Sequence, residues 1–358
     1  MRIALDACTL GRRRTGDETY NRGLLNAWSE IRPPDFDLQV ITTTAYEGPK
    51  NDMFTWHVIP RSNFFARNFY HVPRLLPRIG VDLFHANYWT RYWDSFPKVV
   101  TIHDVAFAAF ENAFKKVEMV VFNAMGKRVA RNAKHILTVS EFSKREIHKY
   151  LNVPLDKISV TYNGLDDCFK PAEKNLKNAP YILYVGNLSP RKNLVRLIEA
   201  FVQLKREHRV ELVLKIVGQK AWLYDDIFES VRKSGLQSSI EFTGYISQEQ
   251  LVETYQNATV MVYPSLYEGF GLPVVEAMGC GVPVVTSNST SLAEVAGDAA
   301  ELVDAHSAES ICQGIWRVIT SEDRHKELRQ RGLARVRKFD WQTTARKTLE
   351  VYRSVLGA

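Results

Sequence analysis

The chain has 358 residues, 45% hydrophobic and 24% charged, enough for about two domains of ordinary size, each with its own core. No stretch reaches the roughly 20 apolar residues that span a bilayer, and the opening Met1-Arg2-Ile3-Ala4-Leu5-Asp6 meets an acid too early for a secretory signal, so a cytoplasmic protein is expected. The net charge of +7 is uneven: residues 1–170 hold 24 Lys and Arg against 18 Asp and Glu, and the rest is almost neutral, so an anionic partner suits the first half.

In chain order, short apolar, β-rich runs alternate with longer helical patterns. The first half has them at Arg2–Ala7, Leu38–Thr43, Thr55–Ile59, Leu83–Ala86, Val99–His103, His135–Val139 and Ile158–Tyr162. The second has them at Tyr181–Val185, Leu212–Val217, Ile240–Phe242, Val260–Tyr263, Val282–Thr286 and Glu301–Val303. Strands alternating with helices predict an α/β protein with parallel, doubly wound sheets, which bind ligands beyond the carboxyl ends of their strands. The polar stretch from Cys168 to Pro180, bracketed by Pro171 and Pro180, is the expected hinge between domains 1–170 and 171–340. Trp341, Ala345, Leu349, Tyr352 and Leu356 then fall at helical spacing and predict a closing helix over 341–358 that packs back on the first domain. Cys8, Cys168, Cys280 and Cys312 are widely spaced without a CxxC pair, so they are expected to be reduced residues in or near cores. There is no aromatic-interleaved basic repeat or finger spacing, which excludes a nucleic-acid binder.

Two stretches carry chemistry. In Tyr263-Pro-Ser-Leu-Tyr-Glu268-Gly-Phe-Gly-Leu-Pro-Val-Val-Glu276, a strand leads into a loop holding Gly269 and Gly271, and Pro273 suits a helix start. A strand end, a glycine loop and a helix N-terminus make an anion site. Glu268 on the loop and Glu276 in the expected first helical turn suit hydroxyl-rich ligands, because an ionised carboxylate only accepts hydrogen bonds. In Val185-Gly186-Asn-Leu-Ser-Pro-Arg191-Lys192-Asn193, a second strand feeds a helix expected to begin at Ser189-Pro190, with two adjacent cations placed to neutralise a diphosphate.

These residues resemble the retaining glycosyltransferases of family 4. The resemblance rests on Arg191-Lys192-Asn193, on Glu268 and Glu276 within Glu-Gly-Phe-Gly-Leu-Pro-Val-Val-Glu, and on Pro283–Ser287. Further matches lie at Thr101-Ile-His103-Asp104, Val139–Lys144 and Tyr162–Asp166, so it covers nearly the whole chain. It implies the GT-B fold, an α/β arrangement of two Rossmann-like doubly wound domains facing each other across a cleft. It also implies a reaction in which a hexose leaves a nucleotide diphosphate sugar with retention and joins a glycan or lipid-linked acceptor. Carried over by residue, Glu268 contacts the hydroxyls of the donor sugar and Glu276 the nucleotide ribose. Arg191 and Lys192 neutralise the diphosphate, backbone N–H groups at Phe270, Gly271 and Leu272 hold phosphate or sugar, and His103 faces the transferred sugar.

The family's phosphate loop after the first strand corresponds to Arg14-Thr15-Gly16-Asp17-Glu18-Thr19-Tyr20, which places Gly16 near the diphosphate but sets Asp17 and Glu18 where small or basic residues are usual. Gly218-Gln219-Lys220 fits the base-binding turn only partly. GDP-mannose is the first expectation for the donor, with UDP-glucose and UDP-GlcNAc open. No cofactor and no metal is implied: Arg191 and Lys192 take the cation's place, and Asp35-Phe36-Asp37 precedes a strand rather than following one. The mixed apolar and basic segment Phe114–Lys134 is a candidate for peripheral contact with an anionic membrane. A sugar phosphorylase or nucleotide-sugar epimerase on the same fold, and a non-catalytic nucleotide-sugar scaffold, are the alternatives.

Overall fold

Each of the thirteen apolar runs forms a strand in the computed structural model, which describes residues 1–11, 16–46, 48, 52–91, 96–110, 116–172, 180–219 and 224–358. The chain divides into two compact units, Met1–Gly164 with Asp340–Ala358, and Leu165–Phe339. Residues 173–179 of the expected hinge lie outside the described residues.

The first unit holds β1 (Arg2–Asp6), β2 (Asp37–Thr42), β3 (Phe54–Val58), β4 (Leu83–Asn87), β5 (Lys98–Thr101), β6 (His135–Thr138) and β7 (Ile158–Val160). They form one sheet in the order β3-β2-β1-β4-β5-β6-β7, every neighbouring pair parallel. Residues of β4 and β5 are buried throughout, which is why these strands read as continuous apolar runs rather than alternating ones. Helices α1 (Gly16–Ile31), α2 (Lys116–Asn132) and α3 (Glu141–Leu151) belong to the same unit. Ser140 caps α3 by accepting the Ser143 N–H at 2.9 Å. Strand β5 stops at Thr101, two residues short of the sequence expectation. Ile102 N–H still donates to Leu137 O at 2.9 Å, and His103 then enters the loop at the carboxyl end of the sheet.

The second unit holds β8 (Tyr181–Val185), β9 (Val213–Val217), β10 (Ile240–Gly244), β11 (Val260–Tyr263), β12 (Val284–Ser287) and β13 (Glu301–Val303), all parallel in the order β10-β9-β8-β11-β12-β13. Its helices include α4 (Leu194–His208), α5 (Gln248–Gln256), α6 (Leu272–Gly279) and α7 (Thr290–Ala296). In both units the strand order reverses beside the first strand, at β1/β4 and at β8/β11, the switch points where doubly wound sheets bind their ligands.

The last helix, α8 (Trp341–Leu356), belongs to the first unit. Asp340 caps it by accepting the N–H groups of Gln342 and Thr343. Trp341 lies against two glycines: a Cβ at Gly23 would stand 2.2 Å from its Cε2, and one at Gly164 2.4 Å from its backbone N. Farther along α8, the Tyr352 hydroxyl meets His85 Nδ1 in the core, and Arg353 pairs with Asp35 at 2.8 Å. His85 Nε2 meets Thr101 Oγ1 at 2.6 Å, which in turn meets the Tyr20 hydroxyl at 3.0 Å. This buried polar chain ties α8 to β4, β5 and α1, and each group in it has a partner, as burial requires.

Candidate active site

In the second unit, the two motif stretches leave the sheet from adjacent strands. After β8 the chain passes Gly186 and forms a 3-10 turn, Pro190–Lys192. The expected helix start at Ser189-Pro190 is therefore this turn; α4 begins only at Leu194, after Asn193 takes a left-handed conformation (φ +62°). Asn193 Nδ2 donates to Pro264 O at 2.9 Å and to Ala305 O at 2.7 Å, which locks the turn to the loops after β11 and β13.

That lock brings Arg191 and Lys192 onto the loop after β11. Arg191 Nη1 donates to Tyr267 O at 2.6 Å and to Glu268 Oε2 at 3.0 Å. Lys192 Nζ donates to Glu268 Oε1 at 2.6 Å and to the Tyr263 hydroxyl, which itself lies 3.1 Å from Glu268 Oε1. Glu268 is only 6% exposed. A buried carboxylate is tolerated when paired and hydrogen-bonded. Burial alone would raise its pKa, but Arg191 and Lys192 outweigh it and hold the carboxyl down at about 2. Burial, with Glu268 adding to it, pushes the Tyr263 phenol well up, so this hydroxyl stays protonated. Ser291 Oγ, on α7, donates to the carbonyls of Glu268 (2.8 Å) and Phe270 (3.0 Å) and fixes the loop from behind.

Gly271 ends this loop with φ +106°, a conformation side chains avoid, and a Cβ there would stand 2.6 Å from Leu292 Cδ2. Helix α6 starts at Leu272, so Pro273 is its second residue. Phe270 is buried against the Phe339 ring. Glu276 falls in the second turn of α6, not the first as expected from sequence, because the helix starts one residue before Pro273 and the acid lies past its first four positions. The Tyr255 hydroxyl holds it there, donating to Oε2 at 2.8 Å. Tyr255 is fully buried against Phe169.

The first unit carries the other candidates. Gly16 opens α1, is exposed, and a Cβ there would meet nothing within 4 Å. Arg14 and Thr15 lie outside the described residues, as does Lys220 of the base-binding turn. Glu18 turns inward: buried, it accepts the Gly11 N–H at 3.0 Å, and so braces the loop after β1. Asp17 turns instead toward His103, with Oδ1 3.7 Å from Nε2. The His103 ring is gripped by Tyr20 (4.8 Å between centroids, edge-on) and Tyr88 (5.5 Å), and its carbonyl accepts from Ser143 Oγ at 2.9 Å. Burial pushes its imidazole below the ordinary histidine range, against the opposing pull of Asp17 and Asp104.

Asp37 pairs with Arg2 at 2.6 Å and Asp35 with Arg353, so both acids of the Asp-x-Asp run are engaged in ion pairs. Among the described residues, Glu207, His208 and Cys312 place one metal-ligand-type atom each within 4.8 Å of one another, and the His208 ring stacks on Trp316 at 3.8 Å. Sequence reasoning assigned no role to Tyr263, Tyr255 or Ser291, which read as ordinary core or loop residues until the contacts are known, and it used Asn193 only as part of a motif.

Comparison with known proteins decides what this constellation belongs to. The family described as glycosyl transferases group 1 matches residues 167–335, and Glycosyltransferase Family 4 matches residues 16–168. O-antigen chain mannosyltransferase B of Escherichia coli is 34% identical over 265 residues, 71% of this chain and 70% of that protein. The chain belongs to the family 4, group 1 glycosyltransferases. The serotype-specific mannosyltransferase WbdA of Escherichia coli is 30% identical over 235 residues, which are 62% of this glycosyltransferase but 29% of WbdA. The sucrose-phosphate synthase of Thermosynechococcus elongatus superposes with a TM-score of 0.82 over 100% of this chain and 99% of that one, at 22% identity. That likeness gives the glycosyltransferase its fold, GT-B. The expected family and fold class therefore both hold. No helix among the described residues is long and apolar enough to cross a membrane.

Proposed function

We propose that this glycosyltransferase moves mannose from GDP-mannose, with retention and without a metal ion, to a glycan or lipid-linked acceptor. The observation that carries the reading is the Arg191–Lys192–Glu268 cluster at the β8/β11 switch point of a family 4 chain. The mannosyl donor draws support from the two mannosyltransferases to which the sequence is similar.

In this reading the nucleoside diphosphate is the leaving group. Negative charge grows on its phosphates as the anomeric C–O bond breaks. Arg191 and Lys192, held in place by Tyr267 and Tyr263, meet that charge once the donor is bound, and positioned cations lower a barrier in this way. The same two cations stand in for a metal. As the diphosphate takes up their hydrogen bonds, the Glu268 carboxylate turns its acceptor capacity to sugar hydroxyls. Backbone groups at Phe270, Gly271 and Leu272 lie at the N-terminus of α6, where the helix dipole favours an anion. Glu276, oriented by Tyr255, accepts from ribose hydroxyls, and Gly16 lets phosphate approach the N-terminus of α1. His103 contributes a neutral imidazole to the transferred sugar.

Peripheral membrane contact is part of the proposal. In the first unit Phe65 is 61% exposed, Tyr70 49%, Val120 70% and Val121 41%. Ring contacts run from Phe65 through Phe64 and Trp89 to Phe122 on α2, the helix that also carries Val120 and Val121, and Arg74, Lys127 and Arg128 are exposed as well. Apolar side chains among cations fit an anionic leaflet. Phe114 and Lys115 of the segment expected there lie outside the described residues.

The test uses radiolabelled GDP-mannose with the purified protein, with and without a mannose-terminated acceptor. Label passing to the acceptor as an α-mannoside, undiminished by EDTA, supports the proposal. Sugar phosphate or an isomerised nucleotide sugar formed without acceptor would replace it with a phosphorylase or epimerase. Binding without turnover would leave a scaffold.

A further inference from the structure

His103 is 8% exposed, and its Nε2 has no hydrogen-bond partner. Tyr20 and Tyr88 grip the ring, and Ser143 holds the carbonyl. Tyr20 is itself anchored to Thr101 at 3.0 Å. A buried polar atom left open on a ring this firmly held is a group prepared for a ligand. Of the acids nearby in sequence, Asp104 accepts the Ala106 N–H and Glu18 the Gly11 N–H. Asp17 is the one turned to Nε2, and at 3.7 Å it is too far for a direct hydrogen bond. In the tautomer with the proton on Nε2, that spacing leaves a donor and an acceptor facing one point. A hydroxyl there accepts from Nε2–H and donates to Oδ1, using both of its capacities.

We propose that Asp17 is a specificity-determining residue, which together with His103 binds one sugar hydroxyl inside the first unit. The proposal rests on the glycosyltransferase reading and deepens it. It explains why an acid stands at the start of α1, where the incoming phosphates would disfavour one: its charge is committed to a hydroxyl proton. The shared chemistry is a sugar hydroxyl, whether it sits on the transferred mannose or on the acceptor.

The experiment measures transfer from GDP-mannose to methyl α-mannoside by wild type and Asp17→Ala. Single-deoxy analogues then replace first the donor sugar and then the acceptor. Wild type should lose about 10- to 100-fold in kcat/KM on one analogue, the range for a charge-assisted hydrogen bond. Asp17→Ala should lose most of that factor on the parent substrates, and its own penalty on that analogue should shrink to the part that His103 carries. The series in which this occurs tells whether the hydroxyl belongs to donor or acceptor. A penalty for Asp17→Ala that multiplies unchanged across every analogue, or no penalty at all, overturns the assignment. If wild type transfers from none of GDP-mannose, UDP-glucose and UDP-GlcNAc, the functional reading fails on its own. The hydroxyl site is then tested by saturation-transfer NMR with methyl α-mannoside. A signal in wild type that Asp17→Ala removes supports the site, whereas an unchanged signal, or none in wild type, overturns it.

Discussion

Lys192 Nζ lies 2.6 Å from Glu268 Oε1, and the two side chains are only 12% and 8% exposed. The pair joins the two motif stretches across adjacent strands, so the cation proposed for phosphate and the acid proposed for sugar are held in each other's grip. Neither residue can be altered without changing the other's environment, and the first two predictions follow from that coupling.

Arg191→Ala and Lys192→Ala should each weaken GDP binding about 10- to 100-fold, the loss of one charge-assisted hydrogen bond, and should leave guanosine binding almost unchanged. Calorimetry with both ligands checks this. Equal losses for GDP and guanosine would mean that the cations act on the loop rather than on phosphate.

The carboxyl of Glu268 predicts a pH dependence of stability. Its folded pKa, about 2, lies below the ordinary 4.5, so the stabilisation is complete above pH 4.5 and is lost as pH falls toward 2. The shift corresponds to something on the order of 3 kcal/mol. Glu268→Gln should therefore flatten the acid limb of urea stability measured between pH 5 and pH 3. Lys192→Ala, which strips a cation from a buried carboxylate, should steepen the neutral-pH loss instead, since an uncompensated buried charge is worse than none. An unchanged acid limb in Glu268→Gln would show that the folded chain does not hold this carboxyl below its ordinary range.

Both sheets were legible in the sequence because parallel strands covered on both faces read as unbroken apolar runs, such as Val260–Tyr263, which is buried throughout. That glycines and cations gather where β8 and β11 end was legible too. The contacts among these residues were not. Lys192 and Glu268 are 76 residues apart, and no periodicity reports which long side chains meet. The same holds for Glu276. Its place in α6 depends on a helix start one residue before Pro273, and its partner Tyr255 comes from another helix. The break after Gly164 was hidden for a similar reason: that glycine is fixed by Trp341, far along the chain, while the hinge signal lay in the prolines downstream.

The apolar patch on the first unit should carry the protein to anionic vesicles. Replacing Phe65, Val120 and Val121 together by Ser should cut flotation on phosphatidylglycerol-containing liposomes with little change in melting temperature, because all three side chains already face solvent. Neutral vesicles should retain little of either protein. Equal partitioning of wild type onto neutral and anionic vesicles would remove the electrostatic half of the proposal.

The two glutamates should separate binding from turnover. Glu276, proposed for the ribose, makes the same contact in the ground and transition states, so Glu276→Gln should raise KM for the donor and weaken GDP with kcat nearly intact. Tyr255→Phe removes the hydroxyl that aims Glu276, and should show a smaller shift of the same kind, a response that a purely structural tyrosine would not give. Glu268 sits beside the cations that meet the leaving group, so Glu268→Gln should lower kcat, by roughly 10²–10³-fold if it resembles the loss of one preorganised electrostatic contact. Its effect on GDP should be the opposite of a loss. Gln no longer competes as an anion for Arg191 and Lys192, so the diphosphate should bind as well as in wild type or better. Steady-state kinetics paired with GDP titration of all three variants gives the answer. If Glu268→Gln abolished GDP binding while Glu276→Gln spared it, the roles would be exchanged. If both glutamate variants turned over normally, the loop after β11 would not be the donor site.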